Sequence, residues 1–149
     1  MQLKDSIIIA ASTDRVWEYV RSPELWNLFD DKVQGCRLTS GQDGRIGAIY
    51  DINRRLGTRV TTMRSSISEL QPCRTICTHE MMPDSDEPAA VITYQLDDLG
   101  SSTRVTALAE IRLPRMNVCL RALIWFVSRF GSPLGETALM RLKRIVEMG

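Results

Sequence analysis

The sequence predicts an α+β fold: a seven-stranded antiparallel sheet, two short helices between the first and second strands, and a helical C-terminal third. Three observations predict it. The apolar run Ile7-Ile8-Ile9 passes straight into helix-capping residues. Between Val33 and Leu113, strand-like runs alternate with turn clusters. Beyond Arg115 the apolar period lengthens from that of a strand to that of a helix.

Ile7, Ile8 and Ile9 are β-branched and stiff, so they suit a strand, which is expected to end near Ala11. Ser12 or Thr13 then supplies an oxygen to the first free amides of a helix carrying Val16, Trp17 and Val20 at helical spacing. Pro23 disfavours helical geometry at Ser22 and ends it. Pro23 to Phe29 reads as a second short helix, with proline at its first position and Ser22 as its cap.

Val33 to Ser40 is the next strand, and Gly41-Gln42-Asp43-Gly44 turns the chain. Ile46 to Leu56 and Thr58 to Leu70 flank Gly57 as a long hairpin that Gln71-Pro72 terminates. Cys73 to Met81 follows, then a polar connection from Met82 to Pro88. Val91 to Asp97 and Thr103 to Leu113 make the last hairpin. Here Val105, Ala107, Ala109 and Ile111 share one face and Arg104, Thr106, Glu110 and Arg112 the other, with Leu108 as the exception. The small Ala107 and Ala109 leave room on the covered face.

From Arg115 to Phe130 the apolar residues, among them Leu120, Leu123 and Val127, fill one broad helical face. Val118 and Trp125 form a second, narrower strip between Arg121 and Arg129. Gly131-Ser132-Pro133 should break or kink this helix. A second segment starting at Pro133 carries the stripe onward through Ala138, Leu142 and Ile145.

The 149 residues fit one domain spanning 1–149. With 19 basic and 18 acidic residues, the chain has no field that would make nucleic acid its partner. Its N-terminus lacks the pattern of a secretory signal, so a cytoplasmic location is expected. Cys36, Cys73, Cys77 and Cys119 are spaced irregularly and are expected to be free thiols; Cys73 and Cys77, four apart on one strand, are too distant to bond.

The order of elements resembles the helix-grip fold of the START-like or SRPBCC superfamily, which includes polyketide cyclase/dehydrase-type and lipid-transfer proteins. The residues that carry the resemblance run from Ile9 to Val20 and Ser22 to Trp26, then Ile67 to Pro72, Gly100 to Val105, and Leu139 to Glu147. It implies a sheet curled round a long C-terminal helix, with a mostly apolar cavity between them. In such a fold Trp26 and Phe29 belong to the cavity mouth, Trp17 to the core. Tyr50, His79, Tyr94, Ala107, Ala109, Leu120, Leu123 and Val127 are then the candidate lining.

His79 is the single histidine, so a histidine-rich metal site is excluded. Glu80 beside it points to the opposite face of a strand, so no metal is expected, and no cofactor. Cyclase or dehydratase chemistry needs a base, an acid and donors for an enolate. Tyr50, Asp51, Arg64, His79 and Tyr94 are the groups on offer, and no spacing assembles them. There is no nucleophile elbow and no phosphate loop. Arg54, Arg55 and Arg59 around Gly57 read as a solvated hairpin tip. The expectation is a binder of a small hydrophobic molecule, lipid-, polyketide- or isoprenoid-like, without turnover. A cyclase/dehydrase-type enzyme is the alternative. A third reading is a domain that meets a second copy, a protein or a membrane surface through Val118 and Trp125.

Overall fold

A computed structural model describes residues 2–56, 58–83, 85, 87–112 and 137–149. The predicted helix over 115–130, with Leu120, Leu123, Val127, Val118 and Trp125, lies outside the described residues, as do Cys119 and the break at Gly131-Ser132-Pro133.

Seven antiparallel strands form one curled sheet: β1 (Gln2–Ile9), β2 (Val33–Ser40), β3 (Ile49–Leu56), β4 (Arg59–Gln71), β5 (Thr75–Met81), β6 (Pro88–Asp98) and β7 (Thr103–Ile111). Their order is β1-β7-β6-β5-β4-β3-β2, so β2 to β7 are a meander of neighbours in sequence, and β1 joins β7 from the other end of the chain. The fold class is thus as the sequence predicts. β2 matches the expected bounds. β1 begins earlier than the isoleucine run, and β6 begins at Pro88, inside the expected connection.

Helix α1 (Thr13–Val20) is capped by Ser12, whose hydroxyl accepts from the Arg15 amide. The next segment, Pro23–Leu28, is a 3₁₀ helix capped by Ser22, with proline at its start. It lies against β2. Gly41 holds φ at +81°, and a Cβ there would sit 3.1 Å from Ala48 Cα, so this turn requires glycine. Cys73 is the one described non-glycine residue at positive φ, 61°; it belongs to the turn before β5 rather than to the strand, which corrects the expectation that Cys73 and Cys77 share one strand. Cys36, Cys73 and Cys77 are free thiols.

Side chains alternate across the sheet. Tyr50, Ile52, Met63, Ile67, Ile76, Tyr94, Leu96 and Val105 are buried on the concave face, with Val16, Val20, Trp26 and Phe29 from the helical segments packed over them. Helix α2 (Ala138–Met148) buries Leu139, Leu142 and Val146. The expected stripe through Ala138, Leu142 and Ile145 is met, with Ala138 and Ile145 half-buried against the core at its margin and Leu139 and Val146 buried beside them. Lys143 and Glu147 lie against the free edge of β1 and the residue just past it: Lys143 Nζ donates to the Ile8 carbonyl, and Glu147 accepts from the Ala10 amide, both at 2.8 Å. An edge strand's unpaired groups are satisfied in this way.

Candidate functional site

On the concave face the alternation that buries apolar residues also buries charge. Arg54 follows Tyr50 and Ile52 on β3, and Glu80 follows Ile76 and Thr78 on β5. Arg54 reaches across β4 and grips Glu80 with two bonds, Nε to Oε2 at 2.8 Å and a terminal guanidinium nitrogen to Oε1. Asp30, just beyond the 3₁₀ helix, approaches the same guanidinium at 3.8 Å. The Glu80 side chain is 0% exposed, and those of Arg54 and Asp30 are 13% exposed. Burial works against the charge on Arg54, but the two carboxylates outweigh it, so its pKa is raised and it keeps its proton.

Two further polar groups share this face. Ser65 lies opposite Glu80 on one side and Tyr50 on the other; Thr78 lies opposite Ile67 and Ile92. Both residues are 0% exposed, and Ser65 Oγ and Thr78 Oγ1 have no hydrogen-bond partner. Buried polar groups are nearly always paired, so two on one patch stand out.

An aromatic cluster adjoins them. The Trp26 ring meets Tyr94 edge-on with centroids 5.0 Å apart, and Phe29 does so at 6.0 Å. Burial, reinforced by the charge of Asp30, drives the Tyr94 phenol pKa far above its usual range, so Tyr94 remains a neutral group. Cys36 is similar: burial and then the charges of Glu24 and Glu80 push its thiol up to about 12.

The predicted lining residues separate into groups. Trp26, Phe29 and Tyr94 come together, but Trp26 and Phe29 are 0% exposed and sit in the core rather than at a mouth. The indole N–H of Trp26 is engaged by the Val20 carbonyl at 3.0 Å. Tyr50 faces the core, yet its hydroxyl donates to Asp43 and accepts from the Gly44 amide, both at 2.8 Å, clamping the turn after β2. Ser22 also donates to Asp43, so this network positions the turn against the 3₁₀ cap. Ala107 and Ala109 lie on the concave face opposite Tyr94 and Ile92. His79 does not join them: between Thr78 and Glu80, both inward, it is turned to the outer face opposite Ser66 and Val91. Asp51 and Arg64 face each other across the outer face too.

Arg54 is the main correction. The solvated-tip reading holds for exposed Arg55 and Arg59 but not for Arg54, which is drawn inward by Glu80 and Asp30. Parity was the available signal, since Arg54 continues the Tyr50–Ile52 line and Glu80 the Ile76–Thr78 line. Among the described residues no group of histidine, cysteine, aspartate and glutamate could hold a metal ion, and no helix is long and apolar enough to cross a membrane. A surface groove of about 360 Å³ between Ala10–Ser12, Arg15 and Val146–Gly149 is lined by none of the concave-face residues of this site.

Comparison with solved structures finds the same fold at low sequence identity. The Zhui aromatase/cyclase of a Streptomyces species superposes with a TM-score of 0.75 at 12% identity, covering 99% of this chain and 93% of that one. A START superfamily protein from Mycobacterium smegmatis gives 0.70 at 15%, with 99% and 97% covered. A major latex-like protein from Panax ginseng gives 0.67 at 14%, with 97% and 96% covered. No curated protein sequence matches. The family model described as polyketide cyclase / dehydrase and lipid transport matches residues 1–147, from the first strand through the edge-capping helix, and the chain belongs to that family.

Proposed function

We propose that this protein binds a small, largely apolar molecule, lipid-, polyketide- or isoprenoid-like, between the concave sheet face and the C-terminal helical region. The observation that carries this reading is the pair of unpartnered hydroxyls, Ser65 Oγ and Thr78 Oγ1, on a concave face whose other buried residues are apolar apart from the paired Arg54, Glu80 and Asp30. Apolar walls supply affinity and a few polar groups fix orientation, the usual composition of a small-molecule site. Free Cys36, Cys73 and Cys77 suit a cytoplasmic setting, where thiols stay reduced. Native mass spectrometry of gently purified protein, followed by denaturing extraction, tests the reading. A stoichiometric apolar adduct is expected. Protein that is empty and takes up no apolar probe refutes it.

A second reading, cyclase or dehydratase chemistry, draws support from the convergence of Asp30, Arg54, Glu80 and Tyr94. A guanidinium and a neutral phenol are suitable donors to a developing enolate. Against it, both Glu80 oxygens are engaged by Arg54, which leaves Glu80 poorly placed to remove a proton. Formation of a cyclised aromatic product from a poly-β-carbonyl thioester, followed by ultraviolet absorbance, would favour turnover; an unchanged substrate favours carriage.

A further inference from the structure

We infer that the ligand is neutral and carries an alcohol, phenol or carbonyl oxygen, which Ser65 and Thr78 bind, and that the site discriminates against carboxylate- and phosphate-bearing lipids. The inference rests on the apolar-ligand reading above and adds the chemical class of the polar end.

Geometry supplies the first half. Ser65 pairs with Glu80 and Thr78 with Ile67, so Ser65 and Thr78 are diagonal neighbours on β4 and β5. Such positions are about 7–8 Å apart, within reach of one guest oxygen group or two oxygens on adjacent carbons. Each hydroxyl is buried and can both donate and accept, so it suits a neutral oxygen of either character. A guest that pairs with these hydroxyls recovers hydrogen bonds the empty protein forgoes.

Charge supplies the second half. Among the described residues, the buried polar group beside Ser65 holds one cation, Arg54, and two carboxylates, Glu80 and Asp30. The guanidinium is already bidentate to Glu80. Among the described residues there, an incoming carboxylate would find no free cation and would face a local excess of negative charge in a buried setting that screens it poorly. A fatty acid or phospholipid headgroup is therefore disfavoured at the point where a hydroxyl or carbonyl is welcomed.

Three probes of one skeleton test this at about pH 7: naphthalene, 2-naphthol and 2-naphthoate, titrated calorimetrically into the whole protein. Two net hydrogen bonds correspond to roughly a 30-fold gain, so 2-naphthol should bind more tightly than naphthalene by that factor and more tightly still than 2-naphthoate. Ser65→Ala with Thr78→Val should erase the advantage over naphthalene. Both substitutions remove an unpartnered hydroxyl with little change of shape, and circular dichroism checks that the variant is folded. Naphthoate binding as tightly as naphthol, or naphthol binding undiminished in the variant, overturns the inference while leaving the apolar-ligand reading standing. Failure of all three probes to bind removes both.

Discussion

Thr78→Val should make the empty protein more stable. Thr78 is 0% exposed, its hydroxyl has no partner, and its cross-strand neighbours on the same face are Ile67 and Ile92. Valine keeps the β-branch and the shape, so rotamer preference and strand propensity are retained while a methyl replaces the stranded hydroxyl. Leaving a buried polar group unsatisfied costs about 1–3 kcal/mol. For a domain of this size each kcal/mol moves Tm by roughly 2–4 °C, so a rise of about 2–12 °C is expected. Differential scanning calorimetry on ligand-free protein reads it, with urea unfolding at unchanged m as the control for two-state behaviour. Thr78→Ser, which keeps the hydroxyl and removes the methyl, should move Tm downward. A Thr78→Val protein that melts at or below the wild-type temperature would refute the reasoning, because it would show that the hydroxyl has a partner. Stability gained with affinity lost is the expected signature of a site maintained for a ligand.

Glu80→Ala leaves the Arg54 guanidinium buried with only the more distant Asp30, and should cost about 3–5 kcal/mol in urea unfolding. A loss under about 1 kcal/mol would mean that water reaches the pair. Trp26→Ala removes a fully buried ring and its bond to Val20, and should cost about 3–5 kcal/mol. A variant as stable as wild type would return Trp26 to the rim. Burial, with acceptance of its proton by Asp43, pushes the Tyr50 phenol from 10.0 up to about 12, so the folded state favours the protonated form. That stability is intact below about pH 10 and is lost as pH rises through about 12. Tyr94 acts in the same sense. The decline of the urea midpoint across this window should accordingly shrink, without vanishing, in Tyr50→Phe; an unaltered decline counts against it.

The meander was legible because each of its strands is bounded by residues with a local mechanism. Ser12 and Ser22 cap, Pro23 starts a helix, Gly41 requires positive φ, and Val105, Ala107, Ala109 and Ile111 recur at every second position of the sequence. None of these depends on what lies across the sheet. The charged centre was not legible for the opposite reason. An arginine at a hairpin end looks solvated until its partner is known, and Glu80 is 26 positions away on a strand that is not its neighbour in the sheet. His79 drew attention as the only imidazole, although the inward setting of Thr78 and Glu80 fixes it outward. Cys73 shows the limit of parity itself, since one residue at φ 61° removes it from the strand's alternation.

The strand order also constrains how the chain assembles. Each pairing from β2 to β7 closes between strands adjacent in sequence, whereas β1 must find β7 across the register Gln2↔Glu110. Closing a loop of that length costs about 2–3 kcal/mol more than closing a short hairpin, so β1 should join after the meander exists. Arg54, Ser65, Thr78, Glu80 and Tyr94 all lie on β3 to β6. Pulsed hydrogen exchange should therefore protect the amides around the polar cluster before those of Leu3 to Ile9, and substitutions in β1 should alter the final docking step more than the formation of the binding surface.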